Sequence, residues 1–405
     1  MRFKKREVMA QKIKPFKATH YNPNLLNDFS TIACPPYDII DKDKIISLKK
    51  RSPYNYCRIS LADGKNYDKP AQNLKKWLDQ KILVDDCKKN YYLYQQKFRV
   101  GQKQLSRYGI LCLLNMEKKE IFFHEHTLDK PKKDRRKMIA KVKANLSPVF
   151  VVAGNAGNFL TTISKKYTKA KPFLKFKDDE NNLNRLWKIS KKTEIEKISS
   201  SLEGSYMVIA DGHHRFETSF DYFRSQKKKF KDLNYILAYI AVPQPGLVVL
   251  PTHRIISGSG KNRENFERIK EDFTLKPISQ VKLGKKLKAS RKFSFGVYWN
   301  NKFYFAGLQN NNILDTISPA IYKKLDTYVF HQAVLPKLSY RKISYTHSIA
   351  QARKNTKKNE MAFLLKAVSL ESVFDIAKAG YKLPQKSTYF YPKLSSGLVL
   401  RRFRK

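Results

Sequence analysis

Tyr206-Met-Val-Ile-Ala-Asp-Gly-His-His-Arg-Phe-Glu217 decides how this chain is read. Tyr206–Ala210 is a short apolar run of the kind that forms a buried strand, and Phe216, Phe220 and Phe223 recur at the helical period out to about Gln226. The reading is strand, turn, helix. Gly212 leaves the turn free choice of φ, and the backbone N–H groups that open a helix have no partners inside it, so they point at whatever sits above the turn. An anion fits there. Arg215 adds a planar, permanently charged fork, while His213 and His214 exchange protons or bind metal near neutral pH. In the plainer alternative Asp211 caps the helix and the histidines are solvated; a cap needs only one such side chain, and this turn has five polar or glycine positions in a row.

Outward from that element, Val149–Ala153 and Ile236–Val242 read as strands, and Tyr91–Phe98 and Tyr108–Leu114 as a pair joined around Gly101. Tyr67–Leu78, Phe159–Lys169 and the stretch before Gly204 read as helices. Pro35 and Pro36 forbid a strand or helix interior, which puts Tyr37 and Asp38 on a rigid extended segment; Ser52–Ile59 leads into a strand. Interleaved strands and helices give an α+β, mixed α/β fold of undetermined sheet order. The Gly/Ser break at Ser257–Gly260 marks a boundary. The expected organisation is a basic extension over 1–12, a main α/β domain over 13–258, a smaller α/β insert over 259–310, and a segment over 311–405 that returns to the main domain. Ser318–Val334 reads as a helical arm.

The 405 residues leave ample room for a buried core. No run of eighteen or more apolar residues occurs, so a soluble, cytoplasmic protein without a membrane partner is expected. Cys34, Cys57, Cys87 and Cys112 form no C-x-x-C pair and sit in or beside apolar runs, which predicts buried free thiols. The net charge of +48 predicts nonspecific, salt-sensitive nucleic-acid binding. Its lysine runs at 227–229, 285–286 and 357–358 fall in turn-like segments without stacking aromatics, so a solvated basic surface explains them better than a dedicated nucleic-acid face.

Three further polar clusters stand out. His124 and His126 would share one face of a strand with Glu125 opposite, but no third ligand is near and H-E-x-x-H is absent, so zinc is not expected. Thr252-His253-Arg254 offers a hydroxyl, an imidazole and a guanidinium at a strand end, for anion binding or a structural ion pair. Lys386-Ser-Thr-Tyr-Phe-Tyr-Pro-Lys393 gathers two cations and two aliphatic hydroxyls around a pair of tyrosines.

The strings Pro35-Pro-Tyr-Asp38, Ser52-Pro-Tyr-Asn55, His124-Glu-x-Thr127 with Lys133-Asp-Arg135, Ala210–Thr218, Pro251-Thr-His-Arg254 and Lys386–Lys393 occur in this order. Together they resemble the signature of the domain of unknown function 1015 family from about Ile13 to Val399. That resemblance implies substrate or phosphate contacts from Tyr37, Asp38, Asn55 and Arg58, from His124, Thr127, Asp134 and Arg135, and from Gly212, Arg215 and Glu217. It extends them to Thr252, His253 and Arg254, and to Lys386, Ser387, Thr388, Tyr389 and Lys393. Tyr206-x-x-Ile-Ala-Asp-Gly-x-x-Arg-x-x-x-Ser219 is also similar to the strand-turn-helix of the ParB and sulfiredoxin superfamily, whose Gly and Arg hold nucleotide phosphates. That superfamily includes nucleotide hydrolases, nucleases and kinases of free serine.

The resemblance implies a nucleotide-dependent phosphotransferase acting on a small polar metabolite, with ATP or ADP and Mg²⁺ as cofactors. Asp211 would serve Mg²⁺ or act as base, His213 and His214 as base or phosphate ligands, Glu125 as an alternative base, and Arg254 and Lys393 as added cations. A nucleic-acid-binding protein or metal-dependent nuclease is the alternative from another class, and a non-catalytic sensor of a phosphorylated metabolite is a third. The sequence leaves oligomeric state and metal identity undetermined. Whatever the activity, retention of the full chain on double-stranded DNA should fall steeply as salt rises; equal retention at low and high salt in a filter-binding titration would exclude the charge-driven mode.

Overall fold

The computed structural model describes residues 11–127, 129–226, 229–309 and 312–404. The basic extension read over 1–12 lies outside the described residues up to residue 10, as do Lys227 and Lys228. Two compact units emerge. One gathers the chain through Phe123, Thr127–Leu247 and the tail from Pro392; the other comprises His124–His126 and Val248–Tyr391.

The first unit is built on a nine-stranded mixed sheet. Its strands are β1 (Ile13–Lys14), β2 (Tyr91–Val100), β3 (Lys103–Asn115), β4 (Ile121–Phe123), β5 (Val149–Gly154), β6 (Leu174–Lys177), β7 (Leu183–Ile189), β8 (Tyr206–Asp211) and β9 (Tyr235–Ala241). The spatial order is β4-β8-β5-β9-β3-β2-β7-β6, with β1 added on β3. β8 runs parallel to β4 and antiparallel to β5, and β9 runs parallel to β5. All six residues of β5 and all seven of β9 are buried, because the sheet is covered on both faces; that is why they appear as apolar runs without alternation. Helices α1 (Asp129–Val142), α2 (Phe159–Tyr167), α3 (Lys192–Glu203) and α4 (His213–Gln226) follow in chain order. On one face Ile110, Cys112, Val151, Ala153, Met207 and Ile209, spaced by two along their strands, form a core with Leu160 and Ile163 of α2, Ile198 and Leu202 of α3, and Phe216 and Phe223 of α4. The opposite face carries Tyr94, Phe150 and Tyr239 in edge-to-face contact, with the fully buried Arg107 guanidinium 4.6 Å over the Phe150 ring.

The second unit holds a six-stranded antiparallel sheet: β10 (His253–Ser257), β11 (Phe273–Pro277), β12 (Ser294–Trp299), β13 (Lys302–Leu308), β14 (Lys342–Thr346) and β15 (Glu360–Leu364), in the order β11-β13-β12-β15-β10-β14. Leu283 and Leu287 of helix α5 (Gln280–Ala289) pack on Tyr298, Phe303, Phe305 and Leu364.

Several expectations are corrected. Strands on both sides of 259–310 join this one sheet, since β12 would otherwise expose an unpaired edge that β15 covers. Of 311–405, only the tail from Pro392 groups with the first unit. Tyr37–Ile39 is a 3₁₀ turn entered from Pro36, not an extended segment. Asn55 Oδ1 accepts the Cys57 N–H at 3.1 Å, and this local bond turns Ser52–Ile59 into helix Cys57–Ser60 in place of a strand. Ser318–Val334 is broken into 3₁₀, α and π turns because Leu325 is extended. Lys285 and Lys286 lie within α5, not in a turn. All four cysteines are free, but Cys87 is exposed. Among the described residues no helix is long and apolar enough to cross a membrane.

A buried ionic cluster of the first unit outside the polar turn centres on Asp86, whose side chain is 4% exposed and accepts from Lys188 at 2.5 Å, from His20 Nε2 at 3.1 Å and from the Tyr92 hydroxyl. Removing one member of such a group strands its buried partners. Asp86→Ala is expected to cost about 3 kcal/mol in urea unfolding, within the range for breaking a buried pair; a change under about 1 kcal/mol, the scale of an exposed ion pair, would show that the cluster adds little.

Candidate functional site

Met207 and Ile209 face the helical core, so strict alternation would drive Asp211 into it as well. A register shift between Ile209 and Asp211 against β5 re-aims that carboxylate instead. Gly212 then turns the chain at φ +92° into α4. One turn on, Arg215 donates from Nη2 to Asp211 Oδ2 at 2.5 Å and from Nη1 to the Pro148 carbonyl. Lys393, brought in from the C-terminal tail, donates Nζ to Asp211 Oδ1. Both carboxylate oxygens are thus held by cations. Burial alone would raise the Asp211 pKa, but Lys393 and Arg215 outweigh it and keep the group far below the usual carboxylate range. Such a group is a poor proton acceptor at neutral pH. His213 beside it is buried and His214 half-buried.

Around this centre, Tyr37 lies with its ring 5.9 Å from the Arg215 guanidinium and 4.0 Å from that of Arg135. Burial pushes the Tyr37 hydroxyl up to about 12, against the pull of Arg215. Asp134 fixes Arg135 through Nε at 2.8 Å and itself accepts from Tyr67 at 2.7 Å. Glu217 accepts from Thr127 at 2.6 Å and meets Lys132 at 3.4 Å. Tyr37, Arg135 and Arg215 line a cleft of about 60 Å³, and a larger cavity of about 330 Å³ is bordered by Pro35, Pro36, Asp178, Asn182, Lys393 and Ser395. Asn55 and Arg58 do a different job: Asn55 Nδ2 binds the Thr31 carbonyl at 2.7 Å, and Arg58 binds that of Lys49 at 2.7 Å. Asp38 is exposed.

The remaining expected residues cluster in the second unit. His124 is buried and its Nε2 meets Thr388 Oγ1 at 3.0 Å, while Glu125 accepts the Lys386 N–H at 3.0 Å. His124 and His126 do not share a strand face; the segment is irregular and His126 is exposed. Ser387 donates to the Pro384 carbonyl at 2.5 Å, and Tyr389 stacks on His347 at 3.5 Å. Thr252, His253 and Arg254 are all buried. Among the described residues no three His, Cys, Asp or Glu side chains gather as a metal cluster.

Sequence reasoning missed the Pro148 carbonyl, Tyr67, Lys132, His331 and His347. Tyr67 and His331 lie in segments read as helices, yet none of the five carries a local signal for a site; each is brought in by the register or packing of another segment.

Residues 13–328 match the family described as Protein of unknown function (DUF1015). The chain belongs to this family. The DUF1015 match stops at residue 328, short of the Lys386–Lys393 string. No curated protein matches the chain. Similar solved structures include SbnI with C-terminal truncation from Staphylococcus aureus, with 8% identity, TM-score 0.37, and 72% of this chain and 87% of that one covered. A conserved hypothetical protein from Pyrococcus furiosus shows 13% identity and TM-score 0.34, covering 72% and 95%. A free serine kinase in complex with AMP shows 15% identity and TM-score 0.34, covering 71% and 92%.

Two outcomes follow from this geometry. A Cβ at residue 212 would sit 2.9 Å from Arg215 Nε on a left-handed backbone, so Gly212→Ala should cost about 1–3 kcal/mol in urea unfolding. Its folded-state pKa being depressed, Asp211 contributes stability that is present above its unfolded value, about 3.9, and is lost only as pH falls toward the folded one. Asp211→Asn should therefore raise the midpoint of acid unfolding; an unmoved midpoint by circular dichroism would contradict the ionic account.

Proposed function

We propose that the first unit binds nucleotide phosphate at the 211–215 turn and transfers a phosphoryl group to the hydroxyl of a small polar metabolite. We also infer that β8, the Gly212 turn and α4 correspond to the strand-turn-helix of the ParB and sulfiredoxin superfamily. The observation that carries the reading is Arg215. Its Nη atoms are spent on Asp211 and Pro148, yet its buried Nε–H has no partner among the described residues and lies over Gly212, beside the start of α4. A buried donor left unpaired is costly, and an anionic oxygen at a helix start would satisfy it with help from the helix dipole.

In the transfer, the acceptor hydroxyl oxygen forms a bond to the terminal phosphorus of ATP or ADP while the bond from that phosphorus to the bridging oxygen breaks, which leaves ADP or AMP, respectively, and a phosphomonoester. The hydroxyl proton passes to a base. Asp211 is unsuited to that step because two cations hold it ionised, and His214, half-buried at the same turn, is the better acceptor. Asp211 instead fixes Lys393 at the edge of the 330 Å³ cavity, a volume suited to a small metabolite. Both Asp211 oxygens being engaged, the protein offers no ready Mg²⁺ cage here, and the ion would enter on the nucleotide's own phosphates.

Isothermal titration of the folded Arg215→Ala variant with ATP should show affinity weakened roughly ten- to hundredfold, the scale of a lost charge-assisted hydrogen bond. Unchanged affinity would remove the nucleotide from this turn. Tight ATP binding by the unaltered chain with no phosphomonoester formed from any hydroxyl metabolite would turn the reading into that of a sensor.

A further inference from the structure

Arg254 occupies an interior strand of the second unit, opposite Tyr345 on β14 and Phe363 on β15, and its side chain is fully buried. Among the described residues no aspartate or glutamate pairs with it, and its guanidinium lies 5.8 Å from the centre of the Tyr345 ring. The guanidinium donates to the Thr252 carbonyl, to the Lys386 carbonyl at 3.3 Å and, through Nε, to His331 Nε2 at 3.2 Å. These are all neutral acceptors. Burial lowers the Arg254 pKa only to about 10, so the cation persists at neutral pH.

The neighbouring imidazoles cannot balance it. His331 Nε2 accepts the Arg254 N–H and so carries no proton there, and burial followed by the Arg254 charge brings its pKa to about 4. His253 Nδ1 accepts the Leu365 N–H at 3.2 Å, which puts its proton on Nε2, a buried donor without a partner. The Thr252 hydroxyl is likewise buried and without a partner among the described residues, on the residue to whose carbonyl the guanidinium curls back. Two buried donors thus stand unpaired near Arg254, the Glu125 carboxylate is spent on the Lys386 N–H, and a buried cation with no directly paired counter-ion is expensive.

We propose that the second unit carries its own site for a small oxyanion, a phosphoryl or carboxylate group held by the Arg254 guanidinium and the Thr252 hydroxyl. The outer wall is the turn at Lys386, an exposed residue in left-handed conformation (φ +58°) whose carbonyl is one of the Arg254 partners. The site is independent of the nucleotide reading, because none of its residues lies at the 211–215 turn.

The test is thermal unfolding of the full chain at fixed ionic strength in sodium chloride, phosphate or acetate. At phosphate a hundredfold above its Kd the midpoint should exceed that in chloride by on the order of 5 °C for the unaltered chain and for Arg215→Ala alike. Arg254→Met should lose the increment. Thr252→Val should unfold in chloride at or above the unaltered midpoint, because its hydroxyl satisfies nothing within the protein, and should show a smaller phosphate increment. A response to phosphate alone identifies a phosphoryl site, and an equal response to acetate a carboxylate site. Increments that are absent from the unaltered chain, or that survive in both Thr252→Val and Arg254→Met, overturn the proposal and leave Arg254 as a brace between Thr252, Lys386 and His331. Should Arg254→Met fail to fold, the Thr252→Val comparison decides alone.

Discussion

A carboxylate where a buried strand meets a helix stays ionised only if cations come to it, and the polar turn of the first unit is arranged around that requirement. Asp211 is turned out of the core by a register shift, and its two oxygens are claimed by Arg215 from the next helical turn and Lys393 from the tail. Because Asp211 takes one cation from each, it fixes where both stand. Gly212 is needed for the same reason: only a residue without Cβ leaves room for the Arg215 side chain to fold back over a left-handed turn.

Holding cations this way has a chemical consequence. A salt-bridged carboxylate gives up its use as a base, but it preorganises positive charge at a helix start, where backbone dipoles already favour anions. In the reaction proposed above, the proton goes instead to His214 at the same turn. The buried network behind the turn reinforces the arrangement. Arg107 binds the Pro392 carbonyl at 2.5 Å, and Gln96 binds that of Lys393 at 3.0 Å, so the tail that delivers Lys393 is anchored through its backbone as well as its charge.

The second unit solves the buried-charge problem differently. Arg254 has carbonyls, a neutral imidazole and the Tyr345 ring around it, and among the described residues no carboxylate pairs with it. A cation pinned in place without a counter-ion suits a group that must recognise negative charge, whereas the Asp211 cluster suits one that must keep its geometry.

By itself, the sequence determined the elements whose pattern is local. The apolar run from Tyr206, the helical phenylalanines after it and the strands at Tyr91, Val149 and Tyr235 were legible because burial on a sheet or helix face imposes periods of two and 3.6. The glycine turn was legible too, since its residue types answer to local backbone geometry. Local pattern misled in two places: a hydrogen bond to the Asn55 side chain turns an expected strand into a helix, and an extended backbone at Leu325 breaks an expected helix. Only the tertiary structure decided which distant residues meet. Lys393 reaches Asp211 across 182 positions, and Arg254 reaches Lys386 across 132, through strand order and register that no local preference encodes.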